Sequence, residues 1–320
     1  MTCGELTEAA RRCIVRNRLI LSNFMISTRN DLSALQRAML HTASYADIFD
    51  YPLTAAEIHR YLTGLAAPFE SVEQALPGPL RVCGAYYSLP EREALVETRQ
   101  RRQQTADKLW PFAIYFGRLI AHLPFVRMVA VTGSLAMDNV NDNADLDYLI
   151  VTEPGRLWLC RALVLALDRI ARLCGVRLCP NYLVSQRALS FTPQNIYIAH
   201  ELAQMVPLAG MDVYGEIREC NRWMEQFLPN AGGAPRSDRI RPDAASRTGA
   251  ATWLEALLRT PLIDRVEVWE MERKIRKLSR ENDGNPEASF SPDCCKGHSQ
   301  RHAQNTLSEI NRKLFSDMDV

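Results

Sequence analysis

The sequence predicts an α+β protein: a small mixed β-sheet with flanking helices, preceded by a unit of three helices and a hairpin, and followed by a C-terminal helical region. Three observations carry this. Apolar runs of strand length alternate with helical patterns through the middle of the chain, "LSALQRAMLHTASYADIF" opens a run of helices near the N-terminus, and an amphipathic pattern resumes at Trp253. The 320 residues, 47% hydrophobic and 23% charged, are enough for two domains with their own cores.

Residues 1–31 mix apolar and basic side chains without a period and read as an N-terminal extension, with Met25 an alternative start. From Leu32 the apolar positions recur at helical spacing, and "FDYPLTAAEIHRYL" gives a turn and a second helix. Thr54 and Glu57 have the capping-box spacing just after Pro52. A third helix over Phe69 to Leu76 is bounded by Pro68 and Pro77, and "LRVCGAYYSLP" reads as a hairpin turning near Gly84. That order, over residues 32–95, is the order of a winged helix.

Residues 96–228 form the next unit: a helix Val96 to Ala121, a strand Met128 to Thr132, a turn after Ser134, a strand Asp145 to Val151, a helix Leu157 to Leu173 and a strand Val176 to Val184. Helices are expected at Asn195 to Val206 and Asp212 to Phe227. Residues 229–251, rich in Gly, Pro, Ala and Arg, read as a flexible linker. In 252–320 a helix or helix pair runs from Trp253 to Arg280, then a polar loop to about His298 and a last helix ending near Phe315.

A formal net charge of +1 gives no global field for nucleic acid or anionic membrane, so a polyanion must be met by a local patch. The nine cysteines are scattered through apolar runs and read as free thiols of a reducing compartment. Without a bilayer-length apolar run or a signal segment, the expectation is a soluble cytoplasmic protein that does not engage a membrane.

Chemistry concentrates in "VTGSLAMDNVNDNADLDYLIV", Val131 to Val151. Asp145 and Asp147 stand at i and i+2 of a strand, so both carboxylates leave one face and repel unless a cation sits between them. Hard oxygen pairs suit Mg²⁺ or Mn²⁺, which also bridges nucleotide phosphates. Gly133 and Ser134 end the preceding strand, where a glycine lets the backbone approach closely and the next amides and hydroxyl can bind phosphate. The intervening Asp138, Asn139, Asn141, Asp142 and Asn143 read as turn residues.

This pattern of an apolar strand ending in Gly133-Ser134, ten residues, then Asp145-Leu146-Asp147 within a second strand resembles the nucleotidyltransferase superfamily of DNA polymerase β-like fold. "YADIFDYPLTAAEIHRYL", "GAYYSLP", "LCPNYLVS", "AHELAQMVPL" and "NRWMEQFLPN" extend the resemblance, over Leu32 to Asn230, to a largely uncharacterised group of bacterial nucleotidyltransferase-domain proteins with an N-terminal winged helix. The resemblance implies transfer of a nucleotide from a nucleoside triphosphate to an acceptor, which could be a small molecule, a protein or a nucleic acid. Asp145 and Asp147 would be catalytic metal ligands, and Gly133 and Ser134 would bind the triphosphate.

Catalytic members of that superfamily carry a third carboxylate on the next strand, but "VRLCPNYLVS" has none and Asn181 is its nearest polar substitute. An amide can ligate through its carbonyl but cannot accept a proton at neutral pH. Glu201 is a conceivable replacement, against the simpler reading of His200 and Glu201 as a structural pair. Asp168 reads as a partner of Arg172 or Arg161. A non-catalytic member binding a nucleotide or a protein is therefore an alternative.

A DNA-binding regulator is a second alternative, but the recognition-helix segment "PFESVEQALP" holds Glu70 and Glu73 with no basic residue, and only Arg81 decorates the hairpin. Arg99, Arg101 and Arg102 form the best basic patch, expected as a solvated helix face. Cys294, Cys295, His298 and His302 match no standard zinc spacing.

Overall fold

The computed structural model describes residues 32–141, 144–237, 240, 249–285, 287–297 and 302–315. Helix α1 (Ala34–Asp47) starts on a capping box between Ser33 and Gln36, and α2 (Ala55–Arg60) on the one between Thr54 and Glu57. A short α3 (Phe69–Ala75) and an antiparallel pair, β1 (Arg81–Cys83) with β2 (Tyr86–Ser88), complete this unit. Met39, Ile58, Leu62, Val72 and Leu80 form its core. Backbone bonds between Leu53 and Tyr87 fasten the hairpin to the turn before α2.

The long α4 (Leu95–Ala121) runs from this unit onto the sheet. A Cβ on Gly117 would stand 2.2 Å from Leu208 Cδ1 and 3.1 Å from Tyr148, so glycine is what lets the helix lie this close. The Tyr148 hydroxyl then reaches across to donate to the Ala113 carbonyl at 2.8 Å.

Six strands form a mixed sheet: β3 (Val126–Val131), β4 (Leu146–Thr152), β5 (Leu178–Ser185), β6 (Val206–Ala209), β7 (Ser289–Ser291) and β8 (Cys294–Lys296), in the order β6-β3-β4-β5-β8-β7. Among them only β4 and β5 are parallel, and α6 (Leu157–Ala171) makes the crossover that parallel neighbours require. Between β3 and β4 lies a single turn, α5 (Gly133–Ala136). Val129, Val131, Tyr148 and Ile150 bury one sheet face against α4 and α6. Met128, Ala130, Leu149 and Val151 bury the other against α7 (Ile196–Gln204) and α8 (Met211–Cys220).

Three elements differ in kind or extent from expectation. The helix from Asn195 stops at Gln204 because Val206–Ala209 pairs with β3; Pro207 is tolerated there on an edge strand. The helix from Met211 stops at Cys220, where the buried Asn221 side chain bonds Phe191 N and the Leu189 and Ile217 carbonyls. Instead of a polar loop, residues 289–296 form the β7–β8 hairpin, whose three-residue strands are too short to show a period. The helix pair after Trp253 resolves as α9 (Gly249–Leu258) and α10 (Pro261–Glu281), divided at the Thr260 cap with Pro261 in the first turn. A last helix, α11, covers His302–Phe315.

Of the 229–251 stretch, residues 229–237 are held in place: Arg60 donates to the Gly232 and Gly233 carbonyls, and Arg218 to that of Ala231. Among the described residues no helix is long and apolar enough to cross a membrane.

Candidate functional site

A cavity of about 1110 Å³ opens where the N-terminal unit, the ends of β3–β5 and the C-terminal hairpin meet. Gly133, Ser134, Asp145, Asp147 and Asn181 all line it, together with Glu201. The turn after β3 and the start of β4 thus deliver the four sequence-selected residues to one place. Gly133 has φ +66°, and a Cβ there would meet Asp147 Oδ2 at 2.6 Å. The Thr132 amide donates to the Asp147 carbonyl at 2.9 Å, which fixes the spacing of the two strands.

Burial is the main reason the Asp147 carboxyl is pushed up to about 6; the Asp145 charge adds to it and the Cys179 thiol, donating to the carboxylate, opposes it. Asp145 Oδ1 is buried, accepts no hydrogen bond, and faces Arg177 Nε at 3.3 Å in an ion pair only. A carboxylate oxygen held by charge alone, on a cavity that a second carboxylate also lines, offers hard oxygen donors of the kind Mg²⁺ takes. Among the described residues no group of three or more His, Cys, Asp and Glu side chains is placed to hold a metal. Two carboxylates are nevertheless what Mg²⁺ commonly takes from a protein, with water and phosphate oxygens completing its shell.

Glu201, on α7, lies close enough to Asp147 to feel its charge. Burial first, and Asp147 second, push its carboxyl up to about 7, while the Lys296 ammonium pulls it down. The neighbouring Tyr197 hydroxyl is raised chiefly by the Glu201 charge, with burial, Glu287 and Asp147 adding to it. His200 also lines the cavity and is buried. Its ring stacks on Tyr45 at 3.7 Å between centroids, Gln204 donates to Nδ1, and burial lowers its pKa to about 3. It joins α7 to α1 as a neutral ring.

The middle of the Val131–Val151 stretch is more than a turn. Asp138, at φ +53°, is buried; it accepts from Trp110 Nε1 at 2.8 Å and pairs with Arg236 at 2.6 Å. Asn139 bonds the Phe49 carbonyl and accepts from Arg102. Asp142 and Asn143 lie outside the described residues.

Arg99 corrects the expectation of a solvated basic face. It is 3% exposed, donates to the Asp138 carbonyl, pairs with Glu57 at 3.2 Å and stacks over Tyr51 at 4.1 Å. Arg101 is exposed, and Arg102 turns towards the cavity. Asp168 pairs with Arg172 at 2.8 Å and accepts from the Leu178 amide. Cys294 and Cys295 are neighbours on β8 that pack into opposite sheet faces, so they do not converge on one metal; His298 lies outside the described residues. Glu70, Glu73 and Arg81 are all exposed.

Arg177 and Lys296 were not selected from sequence: Arg177 gave no signal, and Lys296 lies in the segment expected as loop. Comparison with protein-family models, curated proteins and solved structures returned no match.

Proposed function

We propose that this chain is a nucleotidyltransferase-fold protein whose cleft takes a nucleoside triphosphate with Mg²⁺ or Mn²⁺ and transfers the nucleotide to an acceptor. The observation that carries the reading is the fit of Gly133 against Asp147, with Asp145 two residues away, on a cavity of about 1110 Å³. When bound, the cation supplies charge neutralisation for the polyphosphate and polarises the reacting phosphate. Asp145 and Asp147 are the residues that would hold it. Gly133 and Ser134, on the turn beside them, would contact the phosphates.

In the family the chain resembles, a third carboxylate takes the acceptor's proton. Asn181 has no basic lone pair for that task. We assign it to Glu201, whose carboxyl near 7 suits a proton acceptor at neutral pH. The acceptor's O–H proton would pass to Glu201 as its oxygen bonds the α-phosphorus and pyrophosphate leaves. The N-terminal unit has the winged-helix order, but its exposed Glu70 and Glu73 favour a wall-forming role over reading DNA.

Incubation of the pure chain with labelled nucleoside triphosphates, Mg²⁺ or Mn²⁺ and cell extract should label an acceptor or the chain itself. Asp145→Ala and Asp147→Ala should abolish the label. Metal-dependent nucleotide binding without labelling would favour the non-catalytic alternative, for which the Arg177–Asp145 pair is the motivating contact. If titration detects neither binding nor metal dependence, the reading is lost.

A further inference from the structure

We propose that Lys296, on the C-terminal hairpin, binds the polyphosphate of the nucleotide held at Asp145 and Asp147. This rests on the function proposed above and adds a residue from a part of the chain outside the resemblance.

The sheet register places it. Leu149 on β4 is opposite Tyr182 on β5, and Tyr182 is opposite Lys296 on β8. Side chains opposite one another across neighbouring strands share a face, and Asp147, two residues before Leu149, is on that face as well. Lys296 therefore projects from the face that carries the carboxylate. About 10 Å, two strand spacings, separates β4 from β8, and the flexible four-carbon lysine stem spans much of it.

Its surroundings leave the ammonium available. Lys296 Nζ sits 5.3 Å from the Tyr182 ring centroid, which steers the stem along the cavity wall. Both residues line the cavity that Asp145, Asp147 and Gly133 line. The other cations there already have partners: Arg102 faces Asp50 at 3.9 Å and Arg177 faces Asp145 at 3.3 Å. Among the described residues no ion pair within 4 Å involves Lys296, and its charge acts on Glu201 at longer range. A triphosphate carries more negative charge than one divalent cation cancels, and a lysine point charge is suited to the remainder.

The hairpin is therefore part of the site. Its strands extend the sheet beyond β5, and their function is to bring a cation to the phosphates.

The test is a binding titration of the full chain in Mg²⁺ with inorganic triphosphate, a nucleoside triphosphate and the matching monophosphate. Lys296→Gln and Lys296→Met should weaken both triphosphates roughly tenfold to a hundredfold and leave the monophosphate within about twofold. Lys296→Arg should retain most of the affinity, and the log–log salt dependence of triphosphate binding should be shallower in the neutral variants. Equal triphosphate affinity in Lys296→Gln and the wild type, with Asp147→Asn still defective, would overturn the role of Lys296 and leave the proposed function standing. A wild-type chain that binds no triphosphate with Mg²⁺ would overturn both. A uniform loss for all three ligands, or failure of Lys296→Arg to restore binding, would show a structural role and also overturn the assignment.

Discussion

A side chain on Gly133 would occupy the space that Asp147 fills: a Cβ there would stand 2.6 Å from Oδ2 and 3.3 Å from both Cβ and Cγ of the aspartate. The φ of +66° at Gly133 adds a second reason for glycine. Gly133→Ala should cost about 1–2 kcal/mol of stability through the backbone and displace Asp147. Metal-dependent nucleotide affinity should fall by at least roughly tenfold while far-UV circular dichroism stays unchanged. Wild-type affinity in a folded Gly133→Ala chain would show that the close approach does not matter for the site.

The pH response tests the buried His200 and the half-buried Glu201 of α7, which act in opposite directions. His200 titrates near 3 in the fold, below its ordinary value near 6.5, so the unfolded chain binds more protons between those limits. Its contribution is full above about 6.5 and is lost as pH falls towards 3. Glu201 titrates near 7, above its ordinary value, so its contribution is full below about 4.3 and is lost as pH rises through 7. In the overlap the slopes oppose. Glu201→Gln should therefore lose more stability than the wild type on acidification from pH 7 to 4.5, measured by denaturant midpoints at each pH. Parallel pH curves for the two proteins would contradict the raised carboxyl of Glu201.

Much of the cleft's primary wall was legible because it is local. Gly133-Ser134 and Asp147 are held by two strands and one turn, and Asp145 stands one residue before the strand that the sequence expectation began with it. The Thr54–Glu57 cap was legible for the same reason. What stayed hidden depends on contacts distant in sequence. Arg99 read as solvated because its partners, Glu57 and the Asp138 carbonyl, lie 42 and 39 residues away. Asp138 read as a loop residue because Arg236 and Trp110 are brought to it only by folding. Lys296 was missed because a three-residue strand carries too few positions for a pattern.

Arg99 binds α4 to α2 and to the site loop at once. Its guanidinium pairs with Glu57, donates to the Asp138 carbonyl and covers the Tyr51 ring, whose hydroxyl lies 2.7 Å from the Met137 carbonyl. Arg99→Met takes the counter-charge from Glu57, which keeps its hydrogen bonds from Thr54 and Tyr51, and leaves the buried Asp138 carbonyl without its donor, at a cost of about 1–3 kcal/mol. Arg99→Lys should recover less than half of this, because one ammonium cannot fork to both acceptors and stack as well. Urea unfolding of the two variants measures the difference. Equal stability of Arg99→Lys and the wild type would mean that only the charge matters there.

Asp138 supports the turn that carries Gly133 and Ser134, and its two oxygens are divided between different elements. Oδ1 accepts from Trp110 on α4 and Oδ2 pairs with Arg236, which also donates to the Ala136 carbonyl within that turn. Asp138→Ala removes both acceptors and leaves a buried indole N–H and a largely buried guanidinium unpaired, so it should destabilise by about 3–5 kcal/mol. Asp138→Asn keeps an acceptor for Trp110 and tolerates the positive φ, but lacks the charge for Arg236; its cost should be about 1–3 kcal/mol. Both should redshift and weaken the fluorescence of Trp110, isolated by replacing the other tryptophans with phenylalanine. If Asp138→Asn binds Mg²⁺ and nucleotide like the wild type despite this loss of stability, the turn keeps its geometry without the Arg236 pair. A drop in affinity that exceeds the unfolded fraction would show that the buried Asp138 sets the position of Gly133 against Asp147.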